Sequence, residues 1–273
     1  MKSIPLLGLL ALLSGALSAP AINISANGSY SQNFNTLAQS GVTNVWTNDS
    51  ILGGGWFAES VTPFGNYSAG TGSSSTADLW SFGPSANSDR ALGSLGGGAT
   101  GNVAWGVSFT NTANATVRFD TLSFVGEQWR NGGDLSGNFT QNVTFSYRTD
   151  ASPITSLTPS SDVGWTQVPG LTFTNPNNIP GSAGGLDGNV SGNRTLLSRD
   201  FFTLGEPIFV NVGHTIMFRW LDIDHSGGEH GLAIDDFSVA FTVIPEPGSA
   251  ALLVAGLGLL LARNRRDPSV RRD

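Results

Sequence analysis

Five of the seventeen acidic residues between positions 22 and 243 crowd into the stretch Asp222 to Asp236: Asp222, Asp224, Glu229, Asp235 and Asp236. His225 and His230 lie among them, and Ser226-Gly227-Gly228 makes the segment pliable. Hard oxygen donors on a glycine loop suit a structural Ca2+. The order Asp222-x-Asp224-x-Ser226-Gly227 imitates the opening of an EF-hand loop, but Ala233 stands at the twelfth position, where a bidentate Glu belongs. The last apolar run adds geometry. If Phe237, Val239 and Phe241 face a core, a period of two puts Asp235 on their face and turns Asp236 outward. An inward carboxylate needs a cation or strong donors. Ca2+ held by Asp222, Asp224 and Asp235, with help from Asn33 or Asn35, is one solution. Pairing of Asp235 with Arg130 or Arg219 is the other. The two histidines with these acids offer a transition-metal alternative, although nothing in the spacing fixes its geometry.

Other constellations are weaker. Glu127 with Asp134 has the residue types of a glycosidase pair, but a Glu127–Arg130 pair beside a packed Trp129 accounts for the same residues. Gly96 to Gly101 spells G-x-G-x-x-G, yet a β-like run follows it rather than a helix, so it is no nucleotide loop. There is no G-x-S-x-G, and the chain has no cysteine, which removes thiol catalysis, disulfides and zinc fingers. Trp46, Trp56, Tyr67 and Trp80 lie in or beside loops. They are the candidates for stacking on sugar rings, with core packing as the alternative. No catalytic residue is assigned.

The elements that must position these groups are strands. Gln141 to Arg148 alternates, with Val143, Phe145 and Tyr147 on one face and Thr144, Ser146 and Arg148 on the other. Ile216, Phe218 and Trp220 alternate in the same way. Asn102 to Thr110 and Thr116 to Val125 are both rich in β formers, and the short break between them predicts a hairpin. Tyr30 to Leu37 reads as the first strand, Leu79 to Phe82 as a short one, and Leu232 to Val243 as the last. Helical periodicity and internal repeats are absent, so the expectation is an all-β, jelly-roll β-sandwich over residues 22–243. That body carries seven arginines and no lysine against seventeen carboxylates, a net charge near −10. Such a balance disfavours nucleic acid as a partner.

Three segments of the body, Gly126-Glu127-Gln128-Trp129-Arg130-Asn131-Gly132-Gly133, Leu186-Asp187-Gly188-Asn189 and Gly231-Leu232-Ala233-Ile234-Asp235-Asp236-Phe237-Ser238-Val239, resemble a β-sandwich domain of bacterial secreted proteins. The resemblance covers roughly residues 28–241. It implies a fold and an address and supplies no activity.

The ends give the address. Lys2, the apolar Ile4 to Leu13 and the small residues through Ala21 read as a signal peptide, residues 1–21, for the Sec export machinery. At the other end, residues 244–273 hold Pro245, Glu246 and Pro247, then an uncharged run Gly248 to Ala262, then Arg263, Arg265 and Arg266. As a helix the run spans about 22 Å at about 1.5 Å per residue, short of a bilayer core of about 30 Å. The arginines favour its cytoplasmic side. This three-part order resembles the PEP-CTERM sorting signal, although Asp267 to Asp273 extends further than many tails of that family.

The resemblance implies an exosortase partner, a precursor held transiently in the inner membrane by the transmembrane helix, and a mature protein at the cell surface or outside the cell. The implied role is non-catalytic, structural or binding, near exopolysaccharide. A carbohydrate-binding module and a metal-dependent extracellular hydrolase are the alternatives.

Overall fold

The computed structural model describes residues 22–135 and 140–245. The signal-peptide region, Glu246, Pro247, the apolar run and Arg263, Arg265 and Arg266 lie outside those residues. Pro245 lies within them, exposed, just beyond the last strand.

Alternation in the sequence becomes two packed sheets. The first runs, in spatial order, Ile22–Ile24, Val103–Asn111, Thr215–Asp222, Asn142–Asp150 and Thr166–Gln167. Trp56–Ser60 also pairs with Val103–Asn111, and Phe173–Thr174 with Asn142–Asp150. The second runs Gly184–Gly185, Thr116–Asn131, Gly231–Ile244, Ala91–Leu95, Asp78–Phe82, Asn66–Gly70 and Asn44–Val45. Arg194–Asp200 and Ile208–Val210 also pair with Thr116–Asn131, and Gly28–Gln32 with Gly231–Ile244. The fold is therefore an all-β sandwich.

The core lies between the sheets. Val103, Trp105, Val107 and Phe109 point inward at period two and meet Val117, Phe119, Leu122 and Phe124 of the other sheet. Trp220 is their hub: its ring centre lies 5.2 Å from Phe145, 5.4 Å from Phe124 and 5.3 Å from Phe237, and it stacks on Trp56 at 6.1 Å.

The predicted hairpin does not form. Val103–Asn111 and Thr116–Asn131 belong to different sheets, so the short connection crosses the sandwich. Both strands carry an apolar face, and each buries the other's by facing it rather than by lying beside it. Asn111 directs the crossing. Its amide donates to the carbonyls of Ala115 and Val210, both at 2.9 Å, and its Oδ1 accepts the Ala113 N–H. The first strands also differ from expectation. Gly28–Gln32 stops before Phe34, whose φ of 55° leaves the extended region.

Both outer sheet faces are partly covered. On the first sheet, Ile154, Leu157 and Trp165 pack on Phe57, Ala104, Met217 and Leu221. Arg219 lies fully buried beneath them. Its guanidinium sits 4.1 Å from the Trp165 ring and bonds Asp162 and the carbonyls of Leu157 and Ser161. On the second sheet, Trp80, Phe82, Ala91, Leu95, Trp129 and Ala233 form another apolar layer.

Candidate functional site

The four proposed sugar-stacking aromatics are core residues. Trp46, Trp56, Tyr67 and Trp80 are 6%, 0%, 4% and 3% exposed. Their polar tips are committed as well. The Trp46 indole donates to Asn48 at 2.7 Å, Trp56 to the Tyr30 hydroxyl at 2.9 Å and Trp80 to the Thr76 carbonyl at 3.1 Å. The Tyr67 hydroxyl accepts the Ala38 N–H at 3.0 Å. Glycine-rich neighbours make a sequence segment look loop-like without exposing its aromatics. None of these four rings leaves a face for a sugar.

The acidic corner divides in two, so Asp222, Asp224 and Asp235 do not form one calcium site. Among the described residues, no three Asp, Glu or His side chains gather as metal ligands. The reason is a β-bulge. Asp235 pairs with Val125 and Ser238 with Ser123, three steps against two, with Asp236 at a φ of 49°. The extra residue breaks the period of two. Phe237 and Val239 face the inter-sheet core, as does Ile234, whereas Asp235 follows Ala233 onto the opposite face. Asp235 is buried there and Asp236 exposed, but for a different reason from the one that alternation suggests.

On that outer face Asp235 lies near Glu127. The Glu127 carboxylate accepts the Trp129 indole N–H at 3.0 Å and lies 3.4 Å from Arg194. Burial pushes Asp235 up to about 8, reinforced by the charges of Glu127 and Asp236. Burial likewise raises Glu127 to about 7, outweighing the Trp129 bond and Arg194. Neither expected arginine serves Asp235. Arg130 donates to the carbonyls of Gly72 and Ser73, and Arg219 is held under Trp165. The Glu127–Arg130 pair is replaced by Glu127–Arg194. Glu127 is 1% exposed and does not face open solvent as a catalytic acid would.

The three segments that carry the β-sandwich resemblance meet on this face. Val125–Arg130 pairs with Gly231–Asp235. Gly188 packs flat on Trp129, since a Cβ there would come within 2.4 Å of the indole.

Asp222 sits apart, at the end of its strand. One oxygen accepts the Ser94 hydroxyl at 2.5 Å. Glu229 accepts the His225 N–H at 2.5 Å, while Asp224 borders Asn102, whose side chain accepts its N–H at 3.0 Å. Burial raises Asp222 to about 7 and Glu229 to about 8, the latter helped by the charge of Asp222.

An open cleft of about 300 Å3 lies where the edges of the two sheets part. Tyr147, Thr166, Gln167, Val168 and Pro169 form one wall; Arg199, Phe201, Glu206 and Ile208 form the other. Tyr147 continues the inward face of Val143 and Phe145 to the point where the interior opens. Thr166–Gln167 is fixed beside it by pairing with Ser146 and Tyr147. Arg199 stands on Arg194–Asp200 and ion-pairs with Glu206, which a turn returns to the Phe201 carbonyl at 2.9 Å. One aromatic ring therefore borders a guanidinium, a carboxylate and an amide. Such groups supply stacking and planar hydrogen bonding. Their lining set contains no Ser, Cys or His nucleophile or base. Nothing local in the sequence joins Tyr147 to Arg199, although the alternation through Tyr147 was readable.

Neither a protein-family model nor a curated protein matches the chain. Among solved structures, the K2 cleaved adhesin domain of Lys-gingipain is 10% identical with a TM-score of 0.38, over 78% of this chain and 99% of that one. A non-crystalline cellulose specific carbohydrate-binding module, CBM28, is 13% identical with a TM-score of 0.33, over 82% and 99%. The CBM22-1 xylan-binding domain from Paenibacillus barcinonensis Xyn10C is 11% identical with a TM-score of 0.29, over 81% and 99%. At such TM-scores nothing about ligand or activity follows from these likenesses.

Proposed function

We propose that this is an exported surface or matrix protein whose body binds polysaccharide without turning it over. The binding site in this reading is the cleft between Tyr147 and the Arg199–Glu206 pair. The signal-peptide features at residues 1–21 and the PEP-CTERM order at residues 244–273 support export by Sec, transient residence in the inner membrane and release by an exosortase. The two-sheet body is taken as a jelly roll, in keeping with its pairing of strands distant in sequence.

The observation that carries the binding reading is the cleft's lining. A ring and several planar polar groups face an open volume at the lower end of those that hold small ligands. The hydrolase alternative has less support, because Glu127 and Asp222 are buried away from that cleft.

Affinity electrophoresis through gels containing neutral or acidic exopolysaccharides tests the reading. The wild-type protein is expected to be retarded by at least one polymer. Tyr147→Ala is expected to weaken binding at least tenfold, the scale of one aromatic contact worth about 1.4 kcal/mol. Equal mobility with and without every polymer, or steady release of reducing ends, would overturn it.

A further inference from the structure

We propose that Asp222 and Glu229 together hold one divalent cation of the hard, oxygen-preferring class, with Ca2+ the best fit. The site lies at the end of the sandwich, where the loop after Asp222 folds back. It is independent of the polysaccharide cleft.

Both carboxylates are buried, Asp222 completely. Each spends one oxygen on a short hydrogen bond, Asp222 with the Ser94 hydroxyl and Glu229 with the His225 N–H. The second oxygens, Asp222 Oδ1 and Glu229 Oε2, lack a partner of good hydrogen-bond geometry, although the Gly96 N–H also bears on Asp222 and the Gln141 side chain on Glu229. The only ion-pair contact of either carboxylate among the described residues is His225 Nδ1, 4.0 Å from Glu229 Oε2. Arg130 borders the same region, but its guanidinium is occupied by the Gly72 and Ser73 carbonyls.

The neutral Gly96 and Gln141 donors supply no counter-charge, so two buried, mutually repelling carboxylates still call for protons or a cation. One divalent ion balances the pair. A cavity of about 290 Å3 adjoins Glu229 and is walled by Gly96, Gly97, Gly98, Gly227 and Gly228. Side-chain-free backbone lets carbonyls and water approach an ion, and Ca2+ accepts six to eight such oxygens with irregular geometry. Two carboxylates completed by backbone and water are consistent with the lack of a three-side-chain cluster.

Thermal melting of the exported protein in EDTA, CaCl2 and MgCl2, with calorimetric titration of CaCl2, tests this. The expected result is a melting temperature that climbs with CaCl2 concentration, and a binding heat of one ion per chain. Asp222→Asn and Glu229→Gln keep shape and remove charge, so both are expected to fold and to lose the calcium-dependent rise. Asp235→Asn, in the other acidic pair, is expected to keep it. Absence of both the rise and the binding heat in the wild-type protein would overturn the proposal. So would a rise that survives Glu229→Gln, or one that only Asp235→Asn removes.

Discussion

Asp235 and Asp236 are adjacent in the chain, yet one is buried and the other is 60% exposed at its side chain. The bulge between them sets the chemistry of the buried one. With burial raising Asp235 to about 8, the folded protein keeps a proton that the unfolded chain releases near pH 4. The sign follows directly. Because the folded value is raised, the associated stability is complete below about pH 4 and is lost as pH rises towards 8. Asp235→Asn imitates the protonated form, so it is expected to flatten the fall in unfolding free energy across this window. Urea unfolding at a series of pH values measures it, and parallel pH profiles for variant and wild type would contradict it. The burial of Asp235 was legible in the sequence, because an acid embedded in an apolar run is conspicuous. Its face was not, because an inserted residue leaves no mark on composition.

At the scale of elements, period-two patterns located the central strands. They failed to show that both faces of some strands are covered. Every residue of Thr215–Asp222 is buried, Arg219 included, because the segment carrying Ile154, Leu157 and Trp165 lies over its outer face. Gly93 shows how tightly the second sheet's layers are stacked. It pairs with Ala233 on one side and Trp80 on the other, and a Cβ there would fall 2.1 Å from the Leu232 carbonyl oxygen. Relief requires backbone movement in the strand that carries Asp235. Gly93→Ala is therefore expected to cost about 3 kcal/mol, the upper end for overpacking. Denaturant unfolding checks this; a change under about 0.5 kcal/mol would show that the sheet yields easily.

For the whole molecule, an acidic body of net charge near −10 is joined to a C-terminal tail rich in arginines. In the sorting proposal this separation has a purpose: the tail holds the precursor in the membrane and the body is released from it. Mass spectrometry of the surface-localised protein is expected to find a C-terminus that lacks Arg265 and Arg266. Recovery of both arginines on that protein would sink the processing proposal. The cleft is likewise a property of the whole body, since its two walls come from different sheets.

By itself the sequence determined an all-β body, the inward faces of its central strands and the chemical character of its two ends. These are local properties: side-chain types, a period of two, and the order of charged and apolar runs. Only the tertiary structure decided that Val103–Asn111 and Thr116–Asn131 face each other across the core, that the acidic corner splits into two buried pairs, and that Tyr147 meets Arg199 and Glu206. Alternation fixes which side chains share a face of one strand. It carries no information about which strand lies opposite, which loop covers the outer face, or where a bulge reverses the pattern.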